Sequence, residues 1–245
     1  AEKLALSLTQ NFPQHPFGWK VLGSVLKQTG RLNEALEANR NVVQLASLDA
    51  AAHNNLANTL QELGKLEESE TSFNQAIALN PDFALAHNNL GITLHSMLRL
   101  DEAESSFRKA IAVKPDFFEA YNNLGNMLQE SGRLKEAEAS YKKTIELQYD
   151  FAEAHNNLGV TLKELDRLEE AAVSYQQAIE LKPDYVGALC NLGVTLQQIG
   201  RLKEAESNFA QVIDIDPESA IAQHHLAALR GNSTNSAPIK YVENL

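Results

Sequence analysis

What most constrains this chain is a period of 34 residues. With positions counted from 1 to 34, complete units run 16–49, 50–83, 84–117, 118–151, 152–185 and 186–219. Position 7 is Leu22, Leu56, Leu90, Leu124, Leu158 and Leu192, and position 11 is Leu26, Leu60, Leu94, Leu128, Leu162 and Leu196. Small residues hold position 8 (Gly23, Ala57, Gly91, Gly125, Gly159, Gly193) and position 20 (Ala35, Ser69, Ala103, Ala137, Ala171, Ala205). Position 24 is Phe73, Phe107, Tyr141, Tyr175 or Phe209, with Asn39 in the first unit. Positions 4, 7, 8 and 11 share one stripe of a helix, and positions 20, 24, 27 and 28 share a stripe of a second. The small residues let the two helices approach closely, and the ring at position 24 fills the space beside them. Gly30, Gly64, Gly132 and Gly200 at position 15 end the first helix. Pro81, Pro115, Pro183 and Pro217 at position 32 stop the second. Leu98 and Asp166 replace the turn glycine in two units, and Ser47 and Tyr149 replace the proline in two. One hairpin of this kind cannot bury its own apolar face, so neighbours must stack into a continuous core.

The spacing predicts an all-α repeat domain over 1–231. Residues 1–15 fit the second half of a broken repeat, with Ala1 at position 20 and Pro13 at position 32. Residues 220–231 fit a first helix, with Leu226 at position 7 and Ala227 at position 8. GNSTNSAP (231–238) reads as a linker, and residues 232–245 read as that linker plus the start of a further segment. Both ends are expected to be cuts, with more repeats upstream and another domain downstream. Such cut ends expose apolar faces, which makes end-to-end self-association an expected partner mode.

A net charge of -11 argues against a nucleic-acid backbone or an anionic membrane as the main partner. No apolar run approaches a membrane span, and the opening AEKLALSLTQ reads as an amphipathic helix fragment rather than a signal peptide. The single Cys190 fits a reducing compartment, so a cytoplasmic location is expected. No Gly-rich phosphate loop and no acid–base couple stand out, and the chain itself is expected to have no catalytic residue and no cofactor. His53, His87 and His155 all fall at position 4, open to a metal ladder or to half-buried rings. Stacked repeats separate equivalent side chains by about 10 Å, whereas zinc ligands lie about 2 Å from one metal, which favours the rings and no metal. His224 and His225 point in two directions on a helix. Acidic pairs such as Glu67–Glu68 and Glu169–Glu170 begin second helices, where they complement the helix dipole.

The W-x-x-L-G-x-x-Y…A-x-x-x-F…P pattern at this period resembles the tetratricopeptide repeat. Trp19, Leu22, Gly23, Leu26 and Ala35 carry it in the first full unit, and the resemblance covers about nine-tenths of the chain. It implies a right-handed superhelical solenoid of antiparallel helix pairs whose first helices line a concave surface, with positions 2, 5, 6, 9, 12 and 13 facing it. Position 6 holds Asn55, Asn89, Asn123, Asn157 and Asn191, and position 5 holds Asn54, Asn88, Asn122 and Asn156. Asparagine is a poor helix former, so its recurrence requires a reason. A carboxamide offers donors and an acceptor that match a peptide bond, and the same groups can bond between repeats.

A chaperone-type carboxylate clamp matches at Lys20 and Asn55 but not at Ser24, Leu85 or Asn89. The asparagine series is instead similar to the repeat region of O-GlcNAc transferases and their bacterial SPINDLY-like relatives, where it implies capture of a peptide backbone. The stretch AQHHLAALRGNST…YVENL resembles bacterial proteins in which such repeats precede a methyltransferase domain. The expected function is a scaffold that holds an extended protein or peptide segment through an asparagine ladder. Lys20, Glu119, Glu130, Glu153 and Glu164 are expected at the groove edge, the glutamates favouring basic segments in the later units. The alternatives are the substrate-recognition region of a larger glycosyl- or methyltransferase, and a self-assembling structural scaffold.

Overall fold

A computed structural model describes the backbone of residues 1–235 and side chains through Arg230. Among the described residues the chain is all-α, without a strand. The helices are α1 (Glu2–Asn11), α2 (Pro16–Gln28), α3 (Leu32–Leu45), α4 (Ala50–Glu62), α5 (Leu66–Leu79), α6 (Ala84–Ser96), α7 (Leu100–Val113), α8 (Phe118–Glu130), α9 (Leu134–Leu147), α10 (Ala152–Glu164), α11 (Leu168–Leu181), α12 (Val186–Gln198), α13 (Leu202–Ile215) and α14 (Ala220–Asn235). From α2 to α13, helices of 13 and 14 residues alternate. They pair as the period requires.

The chain divides into two compact units, Ala1–Met127 and Leu128–Leu245. In the first, α4 packs on α5, α6 packs on α7, and α4 also touches α6. In the second, α10 packs on α11, α12 packs on α13, and α10 touches α12. Within each unit, the first helices of successive repeats therefore lie side by side, each backed by its own second helix.

Each first helix from α2 to α12 is closed by a left-handed residue. Gly30 has φ +75, and its amide donates to Lys27 O while that of Arg31 donates to Leu26 O. The two units without glycine make the same turn. Leu98 and Asp166 both have φ 60, and the amides of Arg99 and Arg167 donate to Leu94 O and Leu162 O at 2.9 Å. The backbone pattern overrides the preference of a residue with a Cβ for negative φ.

The core follows the small and aromatic positions. A Cβ added to Gly91 would lie 2.6 Å from the Phe107 ring, so the ring occupies the room that glycine vacates. Phe107 is 1% exposed. Serine replaces alanine at position 20 in one unit without stranding its hydroxyl, because Ser69 Oγ donates to Ala57 O at 2.9 Å. Position 4 has a shared task across chemically different residues. Trp19 Nε1 donates to Pro13 O at 2.9 Å, and His53 and His87 bond Ser47 O and Pro81 O at 2.9 Å. In the second unit, His155 bonds Tyr149 O and Gln223 bonds Pro217 O, both at 2.8 Å. A carbonyl only accepts, so each bonded imidazole nitrogen carries its proton. The bond ties α2, α4, α6, α10 and α14 each to the turn before it, whether that turn contains proline, Ser47 or Tyr149; the side chain of Leu189 in α12 has no polar atom to form it.

The expected linker is corrected at its start. α14 does not stop at Gly231 but continues to Asn235. Extending an existing helix adds one hydrogen bond per residue, and serine, threonine and asparagine cost less than about 1 kcal/mol each in a helix. The further segment expected toward Leu245 lies outside the described residues from 236 onward.

Candidate functional site

The candidate site is the row of asparagines along the first helices. Positions 5 and 6 are adjacent, so their side chains leave the helix about 100° apart. Asn54, Asn88, Asn122 and Asn156 at position 5 were expected on the groove surface; they are instead buried, at 3%, 4%, 4% and 8% exposure. The rotation explains the correction: position 5 turns into the contact between neighbouring helices, while position 6 stays half-buried. Asn55, Asn89, Asn123, Asn157 and Asn191 all retain that intermediate exposure.

The amides form a ladder. In the first unit Asn123 Nδ2 donates to Asn88 Oδ1 at 3.0 Å, and Asn88 Nδ2 donates to Asn89 Oδ1 at 3.2 Å. Asn89 Nδ2 then donates to Asn58 Oδ1 at 3.0 Å. The second unit repeats the rungs, Asn191 to Asn156 at 3.1 Å and Asn156 to Asn157 at 3.2 Å. Asn88 and Asn156 thus each accept from the position-6 amide of the next repeat and donate to their own neighbour. Each bond contributes about 0.5–1.5 kcal/mol net, which offsets the helix propensity that asparagine loses.

Asn58 diverts the rung that would otherwise reach Asn54, since this unit carries asparagine at position 9 where the next has Ile92. The Asn54 Oδ1 atom is consequently buried without a hydrogen-bond partner. Among the described residues the Asn55 side chain makes no hydrogen bond, while its backbone carbonyl accepts from Thr59 and Asn39. Even a bonded position-6 amide keeps capacity. Asn89 uses one of two N–H groups and one lone pair.

The two units differ in the charge around this row. In the first, Lys20 lies 3.7 Å from Asp49 and Lys27 lies 2.8 Å from Glu62. Both lysines, with Gly23, Ser24, Asn39 and Asn55, line a cavity of about 300 Å³. Glu119 is exposed. In the second, Glu130, Glu153 and Glu164 are all exposed. Tyr141 Oη donates to Gln129 Oε1 at 3.1 Å, and Gln129 Nε2 donates to Glu164 at 3.3 Å. Burial, then the fields of Glu130, Glu153 and Glu164, push the Tyr141 phenol far above its ordinary range. Those three carboxylates therefore act on one locality. Burial and Glu153 likewise raise Tyr185.

The other candidates have structural surroundings. His224 and His225 rings are nearly perpendicular, and His225 stacks on Phe209 at 4.8 Å. Among the described residues no group of three His, Cys, Asp or Glu is placed to hold a metal, and no helix is long and apolar enough to cross a membrane. Cys190 is half-buried, and burial followed by Asp216 raises its thiol, which disfavours the thiolate. The diversion through Asn58 was missed in the sequence, although an asparagine at position 9 next to the Asn54–Asn55 pair was visible.

Two family models described as "Tetratricopeptide repeat" match, one over residues 48–116 and 82–150 and the other over 186–219. A third, described as "TPR repeat", matches 162–200. The chain belongs to the tetratricopeptide-repeat family. Among solved structures this tetratricopeptide chain is similar to YrrB, described as having an unusual peptide-binding site, at 25% identity and TM-score 0.63, covering 77% of this chain and 97% of YrrB. PilF of Pseudomonas aeruginosa aligns at 19% identity and TM-score 0.75, over 87% of this chain and 97% of that one. MamA of Desulfovibrio magneticus RS-1 aligns at 20% identity and TM-score 0.64, over 70% and 97%. The last two likenesses concern the fold alone. No curated protein matches the chain.

Proposed function

We propose that this scaffold captures extended peptide segments on the face lined by its first helices, with the position-6 asparagines bonding the peptide backbone in each unit. The observation that carries the reading is the intermediate exposure of all five position-6 amides, with Asn89 keeping one N–H group and a further lone pair beyond the bonds it makes. The position-5 asparagines Asn54, Asn88, Asn122 and Asn156 act in this reading as supports that orient the row. Lys20 faces carboxylates at the start of the first unit, and Glu119 adds negative charge toward its end. Glu130, Glu153 and Glu164 give the second unit a preference for basic segments. The peptide-binding site of YrrB, a relative of the same repeat type, supports the assignment of function to such a face.

Asn55 supplies the test, because its side chain makes no hydrogen bond among the described residues. Peptides are selected by display against the full chain, and their affinity is measured for wild type, Asn55→Ala, and Glu153→Lys with Glu164→Lys. Selected peptides are expected to fall into two groups. One weakens roughly two- to tenfold with Asn55→Ala, the value of one net hydrogen bond, at an unchanged melting midpoint. The other is basic and weakens with the charge reversal. Peptides indifferent to both changes would place capture elsewhere.

A further inference from the structure

Position 16 carries an arginine fork at the start of most second helices. Its Nε and Nη2 hold the glutamate three residues on, as in Arg99 with Glu102 at 2.7 Å for both bonds. Its Nη1 reaches back to a glutamate at position 21 of the preceding repeat. Arg31 reaches Glu2 at 2.5 Å, Arg99 reaches Glu70 at 2.6 Å, and Arg167 reaches Glu138 at 2.8 Å. Glu70 and Glu138 are sheltered, at 22% and 13% exposure, while Glu2 near the chain start is 37% exposed. The arginine and the flanking apolar surface therefore form a socket that an internal carboxylate plugs.

One socket has no plug. Position 21 of the repeat 152–185 is Ala172. Arg201 still holds Glu204 through Nε at 2.7 Å and Nη2 at 2.5 Å, but its Nη1 has no partner among the described residues. Its side chain is 52% exposed, against 35% for Arg99 and Arg167. The missing side chain leaves a cavity of about 210 Å³, floored by Ala172, Leu192 and Leu196 and flanked by Val173 and Arg201. The repeat 16–49 also lacks the glutamate, but there Leu36, 3% exposed, fills the place. Only Ala172 supplies neither a carboxylate nor bulk.

We propose that this socket is an interaction site for a glutamate side chain of a partner protein, with an adjacent apolar residue resting on Val173. The geometry is already proven by the internal glutamates: a carboxylate set beside Nη1 makes a charge-assisted bond sheltered from water. Val173, 64% exposed, offers the apolar shoulder. The site lies among α11, α12 and α13 and does not depend on the asparagine row.

The probe is acetyl-Leu-Glu-Leu-amide, titrated into the methyl-labelled full chain, with acetyl-Leu-Gln-Leu-amide as control. The glutamate peptide is expected to shift the methyl signals of Val173, Leu192 and Leu196 with a dissociation constant on the order of millimolar. The glutamine peptide should bind at least tenfold more weakly. Ala172→Glu should abolish the response by plugging the socket from within, and should raise the melting midpoint. Arg201→Gln should abolish it without plugging. Equal shifts from both peptides, no shift from the glutamate peptide, or a response that survives Arg201→Gln would each overturn the proposal.

Discussion

The repeats 84–117 and 16–49 fill the same core slot in different ways. In the first of these, Phe107 enters the space above Gly91 and makes the contact by dispersion and burial. In the other, Asn39 stands above Gly23, with Oδ1 2.6 Å from where a Cβ would be. Its Nδ2 donates to Thr59 Oγ1 at 2.9 Å and its exposure is 6%. A ring needs only shape, whereas a buried amide needs a partner, and Thr59 in the next repeat supplies it. The helix pair stands in both cases. The period thus sets the backbone, and individual positions can exchange their chemistry when a neighbour answers the change.

The largest expected effect lies on the aromatic side of this comparison. Phe107→Ala should cost about 3–5 kcal/mol, read by urea denaturation. A loss below about 1 kcal/mol would mean that the slot collapses freely and that the ring is not the determinant. Asn39→Ala should cost about 1–3 kcal/mol, the value of removing a buried hydrogen-bonding partner. If Asn39→Ala proved as costly as Phe107→Ala, the two slots would be equivalent after all. Asn39→Phe sharpens the contrast. The cavity beside Gly23 gives a ring room, so it should be neutral or stabilise by up to about 1 kcal/mol.

The turns carry the same contrast more weakly. Asp166 holds φ 60 where four other units use glycine. Asp166→Gly should be neutral or gain up to about 1 kcal/mol, visible as a small rise in melting midpoint. A clear fall would mean that the aspartate side chain contributes to the turn.

The smallest effect concerns the arginine fork. Burial works to raise the Glu138 carboxyl, but bonds from Lys142 and Arg167 outweigh it and hold the group below its ordinary value. A carboxyl depressed on folding contributes stability above its unfolded value and loses it as pH falls through the folded one. Glu138→Gln should therefore flatten stability between about pH 5 and the acid limit by a few tenths of a kcal/mol, as partly exposed pairs do. An unchanged acid limb would remove the fork from the account of stability.

Much of the fold was legible because the period repeats every constraint. Leucines at positions 7 and 11 and small residues at 8 and 20 fix two helices, and even the turns at Leu98 and Asp166 follow from their place in the count. The site was legible only to the level of a helix face. Adjacent asparagines look alike in sequence, yet one residue of rotation buries Asn88 and leaves Asn89 half-exposed. Position 4 was read as core, and its bond to the carbonyl six residues back explains why tryptophan, histidine and glutamine exchange there. The Arg201 socket emerges only once the arginine forks of the other repeats show what Ala172 fails to provide.

The central claim, that the position-6 amides meet a peptide backbone, is tested most directly by their own side-chain NH2 resonances. A display-selected peptide is titrated into the 15N-labelled chain, and the signals of Asn55, Asn89, Asn157 and Asn191 are followed beside those of Asn54, Asn88 and Asn156. Saturable shifts should be larger at position 6 than at buried position 5, with Asn55 among the most affected. Position-6 signals that stay unmoved at saturation would contradict the account and leave the asparagines as bonds between repeats.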